Sequence, residues 1–118
     1  WDNRASAVAA IGEGQQAVIA RLRALRPDAH LLIHSVLPTG DGAVNAAVVQ
    51  PVNQALATAV AATDRASYLD LYPAFTAENG RARRDLFPDG VHLNNAGYRL
   101  WQSLLLPALA AIRAGDNS

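Results

Sequence analysis

The sequence has no cysteine. That excludes disulfides, thiolate metal sites and a cysteine nucleophile, and it is compatible with any redox compartment. Methionine is also absent, and the first residue is Trp1. Translation starts at Met, so the expected N-terminus is one made by processing or cutting. Any signal peptide would have left with whatever preceded Trp1. Lysine is missing too: all ten basic residues are arginine. Together with the abundance of alanine, this reads as a GC-rich coding bias more than a functional choice. Aromatic residues make up only 6%, so the core has to be built from Leu, Val, Ile and Ala. Neither charge sign dominates: ten Arg against ten Asp plus Glu give a formal net charge of zero. Nucleic acid and anionic membranes both select a basic face, so neither is expected as the main partner. No apolar run reaches the roughly 18 residues of a bilayer span, and no membrane span is expected.

What remains is a chain of 118 residues, 51% hydrophobic, the size of one small domain. Ala7, Ala10, Ile11, Ala17, Val18, Leu22 and Leu25 recur at helical spacing and predict a helix over 5–25. Gly12 and Gly14 weaken its first half, and Pro27-Asp28 ends it. His30 to Leu37 is a short apolar run between prolines and reads as a buried strand. A loop follows over residues 38–42. Residues 44–63 predict a second helix, in which Pro51 either makes a kink or starts the main part. Ala66 to Leu71 is a second strand. A long polar segment runs from Tyr72 to His92. Asn94 or Asn95 then caps a last helix reaching about Ile112. Pro107 should bend that helix, and the tail from Gly115 should fray.

The order α-β-α-β-α predicts a parallel sheet covered by helices on both faces. Two strands do not make such a sheet. The first strand is apolar on both faces, as central strands are, and an exposed edge would invite pairing with other chains. The expectation is therefore the C-terminal half of a larger α/β domain, needing strands from an N-terminal part. A compact two-stranded domain and a dimer that completes the sheet are the alternatives.

The sharpest local feature is Phe87-Pro88-Asp89-Gly90-Val91-His92-Leu93-Asn94, followed by Asn95-Ala96-Gly97-Tyr98. A catalytic histidine needs one ring nitrogen free to move a proton and the other held by an acceptor. A carboxylate three residues earlier, with a glycine between, can fold back to that second nitrogen. Read as a bare pattern, Asp89 can equally be a turn former and His92 a surface or capping residue.

This segment resembles the C-terminal block of the SGNH hydrolase superfamily, the GDSL-type esterases and lipases. Members carry D-x-x-H-L-(S/N/T)-x-x-G-Y, which stands here as Asp89-Gly90-Val91-His92-Leu93-Asn94-Asn95-Ala96-Gly97-Tyr98. The upstream order is similar as well: Arg26-Pro27-Asp28-Ala29, an apolar strand from Leu31 to Pro38, a helix holding Asn53, and a strand ending near Leu71. The layout is closest to the branch of platelet-activating-factor acetylhydrolase-like and carbohydrate-acetylesterase-like enzymes. The resemblance implies a three-layer α/β/α flavodoxin-like sandwich with a parallel sheet. It implies ester hydrolysis by acyl transfer to water, with small ester substrates and no cofactor. His92 would be the general base and Asp89 the residue that holds its tautomer.

The chain departs from the family in one large respect. The Gly-Asp-Ser nucleophile motif and the Gly-x-Asn-Asp oxyanion motif are absent. None of the five serines, Ser6, Ser35, Ser67, Ser103 and Ser118, follows Gly-Asp or sits in a nucleophile elbow. Trp1-Asp2-Asn3 falls about where the oxyanion block should end, which keeps Asn3 as an alternative donor. The chain is thus expected to hold two-thirds of a triad and to be inactive alone. The competing expectation is a non-catalytic α/β binding module or pseudo-enzyme.

Other candidates read as structural. His30 and His34, four apart, would suit a metal on a helix. On a strand they stand about 13 Å apart, too far for one ion. Arg81, Arg83 and Arg84 read as a solvated face, with recognition of an anionic substrate group as the sharper alternative. Asn53 reads as a buried hydrogen-bonding residue and Trp101 as core. Gly12-Glu13-Gly14 lacks the preceding strand that a phosphate loop requires.

Overall fold

A computed structural model of the chain describes residues 4–38, 45–90 and 92–116. Helix α1, Arg4–Leu25, runs unbroken through Gly12 and Gly14. Its end is held by Arg23, whose guanidinium donates to the carbonyls of Arg26 (3.1 Å), Ala29 (2.6 Å), Asp64 (2.5 Å) and Arg65 (3.0 Å). One side chain thus satisfies carbonyls left over at the helix end and ties them to the turn that feeds the second strand.

Strand β1, Leu31–His34, pairs in parallel with β2, Ala66–Leu69, Leu31 standing opposite Ala66 and His34 opposite Leu69. Both strands are shorter than their apolar runs because side chains take over the ladder. The Ser35 N–H still donates to the Leu69 carbonyl (2.9 Å), but the Leu71 N–H turns to the Ser35 hydroxyl (2.9 Å). The Val36 N–H and carbonyl are both taken by the buried amide of Asn53, at 2.8 and 3.1 Å. Asn53 is therefore the buried hydrogen-bonding residue its sequence position implies.

The connection between the strands starts as a π-helical turn, Asn45–Val49, and continues as α2, Gln50–Ala61, with Pro51 in its first turn. Pro51 starts the main part of this helix, where its missing N–H costs nothing. The loop expected over residues 39–42 lies outside the described residues. The final helix, α3, spans Asn95–Asp116. The Asn94 carboxamide caps it, its Oδ1 accepting from the Gly97 N–H at 2.9 Å. This helix continues through Pro107 and four residues past Ile112, so the fraying expected from Gly115 is not seen at Gly115 itself.

Leu31, Ile33, Ala66 and Tyr68 face Ile19 of α1 and Leu56 and Val60 of α2. On the opposite face the His34 ring meets Trp101 of α3 edge-on at 6.2 Å between centroids. The result is the expected three-layer α/β/α arrangement around a parallel sheet. Among the described residues the sheet has two strands, and the second edge of β1 is unpaired. Beside that edge, α1 exposes a stripe of Ile11, Val18, Leu22 and Leu25, with Val18 60% exposed. Ile11, Val18 and Leu22 of the stripe line, with Ile33, an open cleft of about 510 Å³. No helix among the described residues is long and apolar enough to cross a membrane.

Candidate active site

The segment after β2 is polar in composition but is nailed down by apolar anchors. Leu71, Phe75, Ala82, Leu86 and Phe87 form a buried cluster. Within it the rings of Phe75 and Phe87 pack edge-to-face at 6.0 Å. A 3-10 turn, Pro73–Phe75, and a single bridge between Thr76 and Ala82 fold the chain back on itself. The Arg83 N–H then donates to the Phe75 carbonyl at 3.0 Å, and the Asn94 N–H to the Leu86 carbonyl at 2.9 Å. Both ends of the Asp89–His92 turn are therefore fixed to packed backbone.

Within that turn the Gly90 N–H donates to the Phe87 carbonyl (2.9 Å), and Gly90 adopts φ +82°, a left-handed conformation that glycine takes without a Cβ penalty. The chain then doubles back. One Asp89 oxygen accepts the His92 backbone N–H at 2.7 Å, and the other stands 2.7 Å from His92 Nδ1. This is the short contact of a charge-assisted hydrogen bond. It holds the imidazole by Nδ1 and leaves no recorded bond on Nε2 among the described residues. The His92 side chain is 81% exposed and that of Asp89 57%. Both line an open depression of about 230 Å³ with Pro88, Leu93 and Asn94.

The serines lie elsewhere. Ser35 is fully buried and accepts the Leu71 N–H, the role of a core hydroxyl. Ser67 lies 2.8 Å from His30 Nε2, and Ser103 donates to the Leu100 carbonyl at 2.7 Å. Ser6 is an exposed residue of α1. Ser118 and Asn3 lie outside the described residues, as does Val91 inside the motif. His30 and His34 serve different partners: His34 Nδ1 contacts the Ser35 carbonyl at 2.7 Å. No group of three metal-ligating side chains occurs among the described residues.

The arginines divide. Arg83 is spent on Asp85, at 2.6 and 3.2 Å, and on the Ala74 carbonyl. That contact holds the Asp85 carboxyl below the usual carboxylate range. Among the described residues the Arg81 side chain makes no hydrogen bond. Arg84 turns towards the Asp89 turn and donates to the Pro88 carbonyl at 3.2 Å. Composition alone treats the three as one charged face; only the fold separates them.

The model of the GDSL-like lipase/acylhydrolase family matches residues 2–100. The structure of a proposed platelet activating factor from Streptococcus pneumonia has the same fold, with a TM-score of 0.73 at 22% identity. The alignment covers 86% of this chain and 51% of that one, so this chain spans about half the length of that structure. No curated protein matches the sequence. With that family's model matching residues 2–100, well over half of its length, the chain belongs to the GDSL-like lipase/acylhydrolase family.

Proposed function

We propose that this chain supplies the His and Asp of a Ser-His-Asp triad in a serine ester hydrolase acting on small esters. The observation that carries the reading is the 2.7 Å contact between Asp89 and His92 Nδ1, with Nε2 directed away from it. In this reading Nε2 of His92 takes the proton as a serine hydroxyl attacks the ester carbonyl. The same nitrogen returns the proton to the leaving alcohol, and an acyl-enzyme remains. Water, activated by the same base, then releases the acid. Asp89 keeps the proton of neutral His92 on Nδ1 and stabilises the imidazolium formed during attack.

The nucleophile comes from an N-terminal part of the same domain, because no described serine contacts His92. The unpaired edge of β1 and the exposed stripe on α1 support this. A third parallel strand placed there would pair the free backbone groups and cover the stripe. Alone, the chain is inactive. The second reading, a module that has lost its nucleophile, draws on the same observation that no described serine reaches His92.

A fluorophosphonate probe separates the two readings. The hydroxyl of an activated serine displaces its fluoride and stays bonded to phosphorus. In the complete protein the label is expected on a serine N-terminal to Trp1. Label on Ser6, Ser35, Ser67, Ser103 or Ser118, or no label at all, would overturn the reading.

A further inference from the structure

Arg84 lies outside the pair that would do the chemistry, yet it makes contacts on both sides of Asp89. Its Nη1 donates to the carbonyl of Pro88, the residue before. Its guanidinium also covers Gly90, the residue after. A Cβ placed on Gly90 would stand 3.6 Å from Arg84 Cζ, 3.6 Å from Nη2 and 3.7 Å from Nη1. Three nearly equal distances mean that the flat face of the guanidinium stands over the position a Gly90 side chain would occupy, one methyl group away from the backbone. Neighbouring arginines are placed otherwise: Arg83 is engaged by Asp85 and Ala74, and Arg81 is exposed, its side chain making no hydrogen bond among the described residues.

We infer that Arg84 is a positioning residue, bracing the Pro88-Asp89-Gly90 backbone so that the Asp89 carboxylate stays on His92 Nδ1. The inference rests on the reading of Asp89 and His92 as a catalytic pair. A brace is needed for two reasons. The pair is well exposed, so water competes for both of its hydrogen bonds. Gly90 also has no Cβ to restrict its backbone, and a glycine gives up more freedom on ordering than any other residue. A planar fork that bonds the Pro88 carbonyl and stands over the open side of Gly90 limits that freedom from outside. Lysine offers a point charge and no plane, so it reproduces at most the bond to Pro88.

The tautomer of His92 reads the brace out directly. Neutral imidazole in water favours the proton on Nε2; the Asp89 contact favours it on Nδ1, which leaves Nε2 bare for use as a base. Long-range proton–nitrogen NMR of the histidine side chains, on the chain as it stands and at a pH where the rings are neutral, distinguishes the forms. His30 and His34 serve as internal references. Wild-type His92 is expected mainly as Nδ1–H. Arg84→Ala is expected to move most of the population to Nε2–H, as Asp89→Asn does. Arg84→Lys should fall between, and Arg81→Ala, which removes the same charge, should change nothing. If Arg84→Ala keeps the wild-type tautomer while Asp89→Asn loses it, the bracing role is overturned and the pair stands. Full rescue by lysine, or an equal effect of Arg81→Ala, would assign the effect to charge and likewise overturn it. If wild-type His92 is already Nε2–H, the pair itself fails, and the brace with it.

Discussion

Tyr68 shows how burial sets a chemical property at one residue. It lies in β2 beneath α1 and α2, and burial lifts its phenol above the ordinary 10.0, with the Asp70 charge adding to the rise and a hydrogen bond with Ser35 opposing it. The unfolded chain ionises this phenol at the ordinary value; the folded chain holds the proton longer. Stability from this group is therefore full below about pH 10 and falls as pH climbs past it. Urea midpoints between pH 9 and pH 11 should decline in the wild type, and the decline should be shallower in Tyr68→Phe. Equal slopes would contradict the assignment. Single residues differ in how far the sequence exposes them. Asp89 and His92 stood out in the sequence through their resemblance to the family's Asp-x-x-His block; the bare pattern left a turn former and a surface histidine equally open. Ser35 was legible as a core hydroxyl from its apolar neighbours, but its partner, the Leu71 N–H, was not. Arg84 could not be told from Arg81 and Arg83, since all three share one composition and only the turn at Gly90 gives one of them a target.

At the scale of elements, the three helices and two strands follow from periodicity, and their boundaries do not. Each strand ends after four paired residues because Ser35 and Asn53 bond backbone groups that further ladder rungs would have used. Such substitutions depend on contacts across 17 to 36 residues, which local pattern cannot supply. The segment after β2 looked like a long loop; its order comes from Phe75, Leu86 and Phe87, anchors too sparse to register as a period. The glycine of the Asn-Ala-Gly-Tyr block has a similar cause. A Cβ on Gly97 would lie 2.5 Å from Leu93 Cδ2 and 3.1 Å from the Leu86 carbonyl oxygen. Leu93 is able to swing its tip away, but the Leu86 peptide is fixed in the cluster that carries the Asp89 turn. Gly97→Ala should therefore lift the start of α3 and destabilise the fold by about 1–3 kcal/mol, the cost of overpacking. Chemical denaturation measures this, and an unchanged midpoint would show that the helix is not seated on Leu86 as described.

At the scale of the whole molecule, the described residues place helices on both faces of a two-stranded parallel sheet. Two strands were legible from the sequence, and so was the tension between a doubly apolar strand and an open edge. Among the described residues β1 is paired on one side only, and α1 exposes an apolar stripe. In the proposed reading, the strands that complete the sheet, and the serine among them, come from an N-terminal part of the same domain. The account therefore stands or falls on whether His92 acts as the base of a larger catalytic unit. Its most direct measurement is the rate of acetyl-ester hydrolysis by the complete protein before and after His92→Ala. Loss of the base should lower kcat by on the order of a thousandfold or more. A variant that keeps near-wild-type kcat would contradict the account.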